Sequence, residues 1–86
     1  MKIIDISDLK KKESPLHYRK EYLGTITMEI MQQTISSPLS FTIEHKPMGP
    51  EEIKIDIQEE LDYPMLPVIS AVKQHIRKLM EKGALP

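Results

Sequence analysis

The segment Pro64–Gly83, PMLPVISAVKQHIRKLMEKG, decides how this chain folds. At the helical increment of about 100° per residue, Met65, Val68, Ile69, Val72, Ile76, Leu79 and Met80 fall within one arc of about 120°. Ser70, Gln74, Arg77, Lys78 and Glu81 fall opposite. Gly83 follows the last apolar turn, where a residue free to adopt positive φ closes a helix. Pro64 and Pro67 disfavour helical geometry at Tyr63 and Leu66, so the helix begins between the two prolines, and Pro67 suits its first position. An amphipathic helix of this kind is marginal alone and needs an apolar surface to lie on. The residues before it must supply that surface.

They read as strands. Ile53, Ile55 and Ile57 alternate with Lys54, Asp56 and Gln58, which predicts a strand over Glu52–Gln58. Lys46-Pro47-Met48-Gly49-Pro50 ahead of it is the clearest turn signal in the chain. Leu39, Phe41 and Ile43 alternate with Ser40, Thr42 and Glu44, so Leu39–His45 and Glu52–Gln58 are expected to form an antiparallel hairpin. Leu23–Ile35 reads as the longest strand, with Ile26, Met28 and Ile30 on one face and Thr25, Thr27 and Glu29 on the other. The alternation falters at Met31-Gln32-Gln33, which predicts a bulge or bend near Gln32. Ser36-Ser37-Pro38 reads as the turn that follows. Lys2–Ile6 reads as a short strand with Ile4 and Ile6 on one face and Ile3 on the other. Asp8–Tyr22 is polar; Ser14-Pro15 could cap a short helix, but the reading favours a loop leading into a strand.

The expected fold is α+β, a small antiparallel sheet of three to four strands with the C-terminal amphipathic helix packed on one face. Residues 1–86 form a single small domain. The buried set is Ile26, Met28, Ile30, Phe41, Ile43, Ile53, Ile55 and Ile57 against the helix stripe. Thr25, Thr27, Ser40, Thr42, Lys54 and Asp56 are expected on the far face of the sheet.

Composition narrows the function classes. The chain has no Cys, which excludes disulfides and thiolate metal sites and fits a reducing compartment. The opening MKIIDISDLKKK carries only a short apolar run broken by Asp5 and Asp8, so no signal peptide is read there. No apolar run approaches the ~18 residues of a membrane span. A cytoplasmic protein without membrane contact is expected. Net charge is −1, which argues against strong non-specific binding to polyanions. Locally the balance is uneven. Lys10–Lys20 holds five basic residues and one acid, Glu44–Asp62 seven acids and two lysines, and Lys73–Lys82 four basic residues and one acid.

No motif points to catalysis. His17, His45 and His75 have no ligand spacing among them, so no metal or cofactor is expected. No nucleophile elbow, Walker loop or dinucleotide fingerprint occurs, and three glycines are too few for a phosphate cradle. The acids at Glu51-Glu52, Asp56, Glu59-Glu60 and Asp62 read as a solvated edge. The primary expectation is a non-enzymatic protein-interaction or accessory module that can self-associate through a sheet edge, with Met31, Ile35 and Met48 as candidate contact residues. The alternative is a nucleic-acid-binding module. It would use Lys10, Lys11, Lys12, Arg19 and Lys20, together with Lys73, Arg77, Lys78 and Lys82 on the helix flanks, and Tyr18 and Tyr22 could stack on bases.

Overall fold

The computed structural model describes residues 1–86. It contains strands β1 (Lys2–Lys12), β2 (Arg19–Ile30), β3 (Gln33–Glu44) and β4 (Glu52–Ile57), then helix α1 (Met65–Glu81). The strands form one sheet in the order β1-β2-β3-β4, every neighbouring pair antiparallel. One helix covers one face. This is the α+β architecture that the periodicities predict, with four strands.

The β2–β3 hairpin forms the middle of the sheet. Its register runs without a break from Arg19↔Glu44 to Ile30↔Gln33, leaving only Met31 and Gln32 in the turn. Both have positive φ, 51° and 66°, the pattern of a type I′ turn, whose twist matches that of the flanking strands. The reading of Leu23–Ile35 as one bent strand is therefore corrected: the chain reverses at Met31-Gln32. Inward residues are even-numbered in β2 (Tyr22, Ile26, Met28, Ile30) and odd-numbered in β3 (Ser37, Leu39, Phe41, Ile43). That change of parity belongs to a two-residue reversal. Without Gly, Asn or Asp in the turn, it resembled a bulge.

Ser36-Ser37-Pro38 is strand, not turn. Hydrogen-bonded pairs alternate along an antiparallel ladder. Counting from Ile30↔Gln33, the Pro38 nitrogen points away from β2 and towards β4. The β3–β4 ladder stops at Leu39↔Ile57, and its last bond is from the Gln58 N–H to the Pro38 carbonyl at 3.2 Å. A missing N–H ends the pairing there instead of turning the chain. Ser37 is buried but satisfied: its hydroxyl accepts from the Glu59 N–H at 3.0 Å and donates to the Pro38 carbonyl at 2.9 Å.

β1 is longer than the expected Lys2–Ile6 and twice irregular. Its register against β2 shifts between Ile3 and Asp5 and between Ser7 and Lys10. The first shift expels Ile4 to solvent and leaves Ile3 and Ile6 packed inward, which corrects the expected pairing of Ile4 with Ile6. At the second, Asp8 takes φ 53° and Leu9 folds over Gly24. A Cβ on Gly24 would lie 3.0 Å from Leu9 Cδ2 and 3.1 Å from the Ser7 carbonyl, so glycine leaves the space that the leucine fills. Residues 13–18 connect β1 to β2 without a helix.

Val68, Val72 and Ile76 of α1 are fully buried on the core of Ile6, Tyr22, Ile26, Met28, Ile30, Leu39, Phe41, Ile43 and Ile53. Ile55, Ile57 and Met80 pack at its margin, and Met65 is largely exposed. Tyr22 stacks on Phe41 with ring centroids 5.0 Å apart. The helix starts at Met65, so Pro67 is its third residue, still within the turn whose N–H groups have no helical acceptor. No side chain caps this end. The other end closes as a Schellman motif: the Gly83 N–H bonds the Met80 carbonyl and the Ala84 N–H bonds the Leu79 carbonyl, with Gly83 at φ 65°.

Two substitutions test this account by urea unfolding. Ile76→Ala empties the centre of the helix contact and is expected to cost about 2–4 kcal/mol. Met31→Asn with Gln32→Gly supplies residues suited to positive φ and is expected to raise stability by about 1 kcal/mol.

Candidate functional site

The antiparallel order puts the C-terminal end of β1, the start of β2, the end of β3, the start of β4 and the end of α1 at one end of the molecule. The Met31-Gln32 turn and the start of α1 lie at the other. The principal extents are 40 × 24 × 24 Å, so the two ends are well separated. This decides which candidates share a surface.

Met31, Ile35 and Met48 do not. Met31 is 78% exposed at the β2–β3 turn, and Met48 is 87% exposed in the β3–β4 connection at the opposite end. Ile35 packs against the core margin. Met31 and Met48 could contact partners only separately.

The basic candidates divide in two. Arg77 Nη2 donates to the Glu51 carbonyl at 3.2 Å, and Lys73 adds to the positive field at Glu52. This helix flank therefore offsets the acidic start of β4. Ion pairs complete that neutralisation: Lys46–Glu52 at 2.8 Å, His45–Glu51 at 3.6 Å and Lys54–Glu52 at 4.0 Å. The hydrogen bond from Lys46, then its charge, holds the Glu52 carboxyl below the usual glutamate range. The same bond raises Lys46 above the usual lysine range. Lys78 and Lys82 occupy the last turn and cap of α1, where positive charge suits the helix dipole.

Lys10, Lys11, Lys12, Arg19 and Lys20 are gathered where β1 hands over to β2. Lys11, Lys12, Arg19 and Lys20 line a concavity of about 800 Å³ with His17 and Ser14. Arg19 lies 3.5 Å from Glu21, and its Nε is buried without an acceptor. No acid lies within ion-pair distance of the four lysines. Lys20 also borders a smaller hollow, of about 230 Å³, with Met80, Gly83 and Leu85 at the end of α1.

The two tyrosines separate as well. Tyr18 is 51% exposed beside the basic concavity. Tyr22 is buried, its hydroxyl donating to the Pro86 carbonyl at 3.4 Å and its pKa pushed up by burial. It belongs to the core and offers no face to a base. The signal was present in the sequence, since Tyr22 shares even parity with Ile26 and Met28.

The histidines stand apart, His17 in the β1–β2 loop, His45 after β3 and His75 on α1. No group of three or more His, Asp or Glu is arranged to hold a metal ion. No helix is long and apolar enough to cross a membrane.

A family model spans this arrangement from residue 1 to residue 81, taking in all four strands and the helix to its last residue. The chain belongs to the BB-0187 family. No curated protein and no solved structure matches it. The β1–β2 concavity and the β4 edge both lie within the part matched by the family model.

The Lys46–Glu52 pair gives a pH test. In an NMR titration Glu52 is expected to ionise below the ordinary glutamate range and to return towards it in Lys46→Ala. With a depressed folded-state pKa, the stabilisation from Glu52 is present above the ordinary glutamate pKa and lost as pH falls through the depressed value. Lys46, raised, contributes below the ordinary lysine pKa and loses its contribution as pH rises through the raised value. Both groups face solvent, so salt should weaken the effect.

Proposed function

We propose that the chain is a small, non-enzymatic protein-interaction module of the cytoplasm that self-associates through the β4 edge. One observation carries this reading: the two edges of the sheet are built differently. β1 has two bulges and ends in three lysines, the devices by which sheets resist edge-to-edge pairing. β4 has neither bulge nor proline.

The alternation of the β3–β4 ladder turns the backbone groups of Glu52, Lys54 and Asp56 towards β3 and those of Ile53, Ile55 and Ile57 outwards. Ile53 is only 2% exposed, so the accessible stretch is Ile55–Ile57, with both side chains half-buried. A second strand laid there would gain main-chain hydrogen bonds and cover isoleucine surface in one step. A non-enzymatic role is supported by the dispersed histidines, none of which hydrogen-bonds a hydroxyl side chain. The cysteine-free composition suits a reducing compartment.

Light scattering across the micromolar range tests the proposal. The mass is expected to rise with concentration from the 10.0 kDa of one chain towards twice that value. Ile57→Pro should hold it at the monomer mass. The Ile57 N–H points away from β3, so proline there removes no ladder bond and the circular dichroism spectrum should be kept. A wild-type monomer at high micromolar concentration would overturn the reading.

A further inference from the structure

The β1–β2 end of the molecule is under-neutralised. Three of the four ion pairs in the structure serve the β3–β4 end, and the fourth is the Arg19–Glu21 contact. Lys10, Lys11, Lys12 and Lys20 have no acidic partner, although residues 10–20 carry a formal charge of +4, five basic residues less one acid. Like charges held together on two paired strands repel unless an anion lies between them. The strands also fix their spacing: Lys11 pairs with Tyr22 and Lys12 with Glu21 across the ladder. The concavity of about 800 Å³ between them is wide enough for more than a single ion.

An aromatic ring stands at its rim. Tyr18 is held by its backbone, whose carbonyl accepts from the His45 N–H at 2.7 Å, one step beyond the β2–β3 ladder. Half of the residue is exposed, and it faces a second concavity of about 510 Å³ shared with His45, Lys46 and Pro47. A fixed, exposed ring between two hollows, with unpaired lysines in one, matches what an unpaired base and its phosphates require: a flat π surface beside mobile positive charge. A duplex hides its base faces and would leave the ring unused.

We propose that the β1–β2 end binds single-stranded nucleic acid, with Tyr18 stacking on a base and Lys11, Lys12 and Lys20 contacting the flanking phosphates. Lys73 and Arg77, committed to the acidic start of β4, take no part.

Fluorescence anisotropy with a labelled 12-nucleotide single strand, as RNA and as DNA, and with the matching duplex, tests this at several salt concentrations. Three phosphate contacts predict a slope of log K against log salt of about −2 for the single strands. Replacing Lys11, Lys12 and Lys20 together by Gln should weaken binding at least tenfold at low salt and flatten that slope. Tyr18→Ala should weaken it about 5- to 100-fold with the slope kept, and Tyr18→Phe should restore it. Lys73→Gln should bind as wild type. These residues lie on exposed strand ends and a helix flank, and circular dichroism verifies folding of each variant. No binding at low salt overturns the proposal. So does equal binding of the duplex, an unaltered affinity in Tyr18→Ala, or full displacement by polyglutamate at matched charge, any of which reduces the site to a charged surface or an acidic-peptide site. Neither result bears on self-association, which is read from mass alone.

Discussion

Everything in this molecule depends on the unbroken ladder between β2 and β3. Its pairs run from Arg19↔Glu44 to Ile30↔Gln33 and set the register for the rest of the sheet. On one side of that register lie Tyr22, Ile26, Met28, Ile30, Leu39, Phe41 and Ile43, the bulk of the core. On the other lie Thr25, Thr27, Ser36, Ser40 and Thr42, which meet water. A slip of one residue would exchange the two sets, so burying one face enforces the register. The cost of two L-residues at positive φ in the turn is set against that long pairing.

The sheet and helix could be read from the chain because burial leaves a period. Ile53, Ile55 and Ile57 alternate, and Val68, Val72 and Ile76 recur every fourth residue. Both patterns point at the same core, as in sequences whose local and global preferences agree. Two features escaped that reading. The turn at Met31-Gln32 lacks the residues that announce positive φ, while Ser36-Ser37-Pro38 has turn chemistry but occupies a strand. Pro38 is tolerated because its nitrogen faces the side where pairing ends. The bulges of β1 were hidden for a related reason: each inserts residues that break the period by which a strand is recognised.

The candidate surfaces were legible in part. Charge runs along the chain were visible, but which charges neutralise one another depends on which ends of the strands meet. Arg77 reaches the carbonyl of Glu51, twenty-six positions earlier in the chain, and the lysine that holds Glu52 lies across a turn. Spacing alone could not separate these committed cations from the free cluster at Lys10–Lys12 and Lys20. It equally could not tell that Met31 and Met48, both apolar and both in connections, stand at opposite ends of a 40 Å molecule.

The irregularity at Asp8 and Leu9 governs more than the fit of one leucine over Gly24. It resets which way every later side chain of β1 points, so that Lys10 and Lys12 pair with the outward-facing Leu23 and Glu21 while Lys11 meets the inward-facing Tyr22. Shortening the chain by one residue there would restore an ordinary pleat and swing all three ammonium groups to the reverse sides. A single extra backbone unit therefore acts as a phase shifter, and the orientation of the positive cluster is written into main-chain length as much as into the lysines themselves.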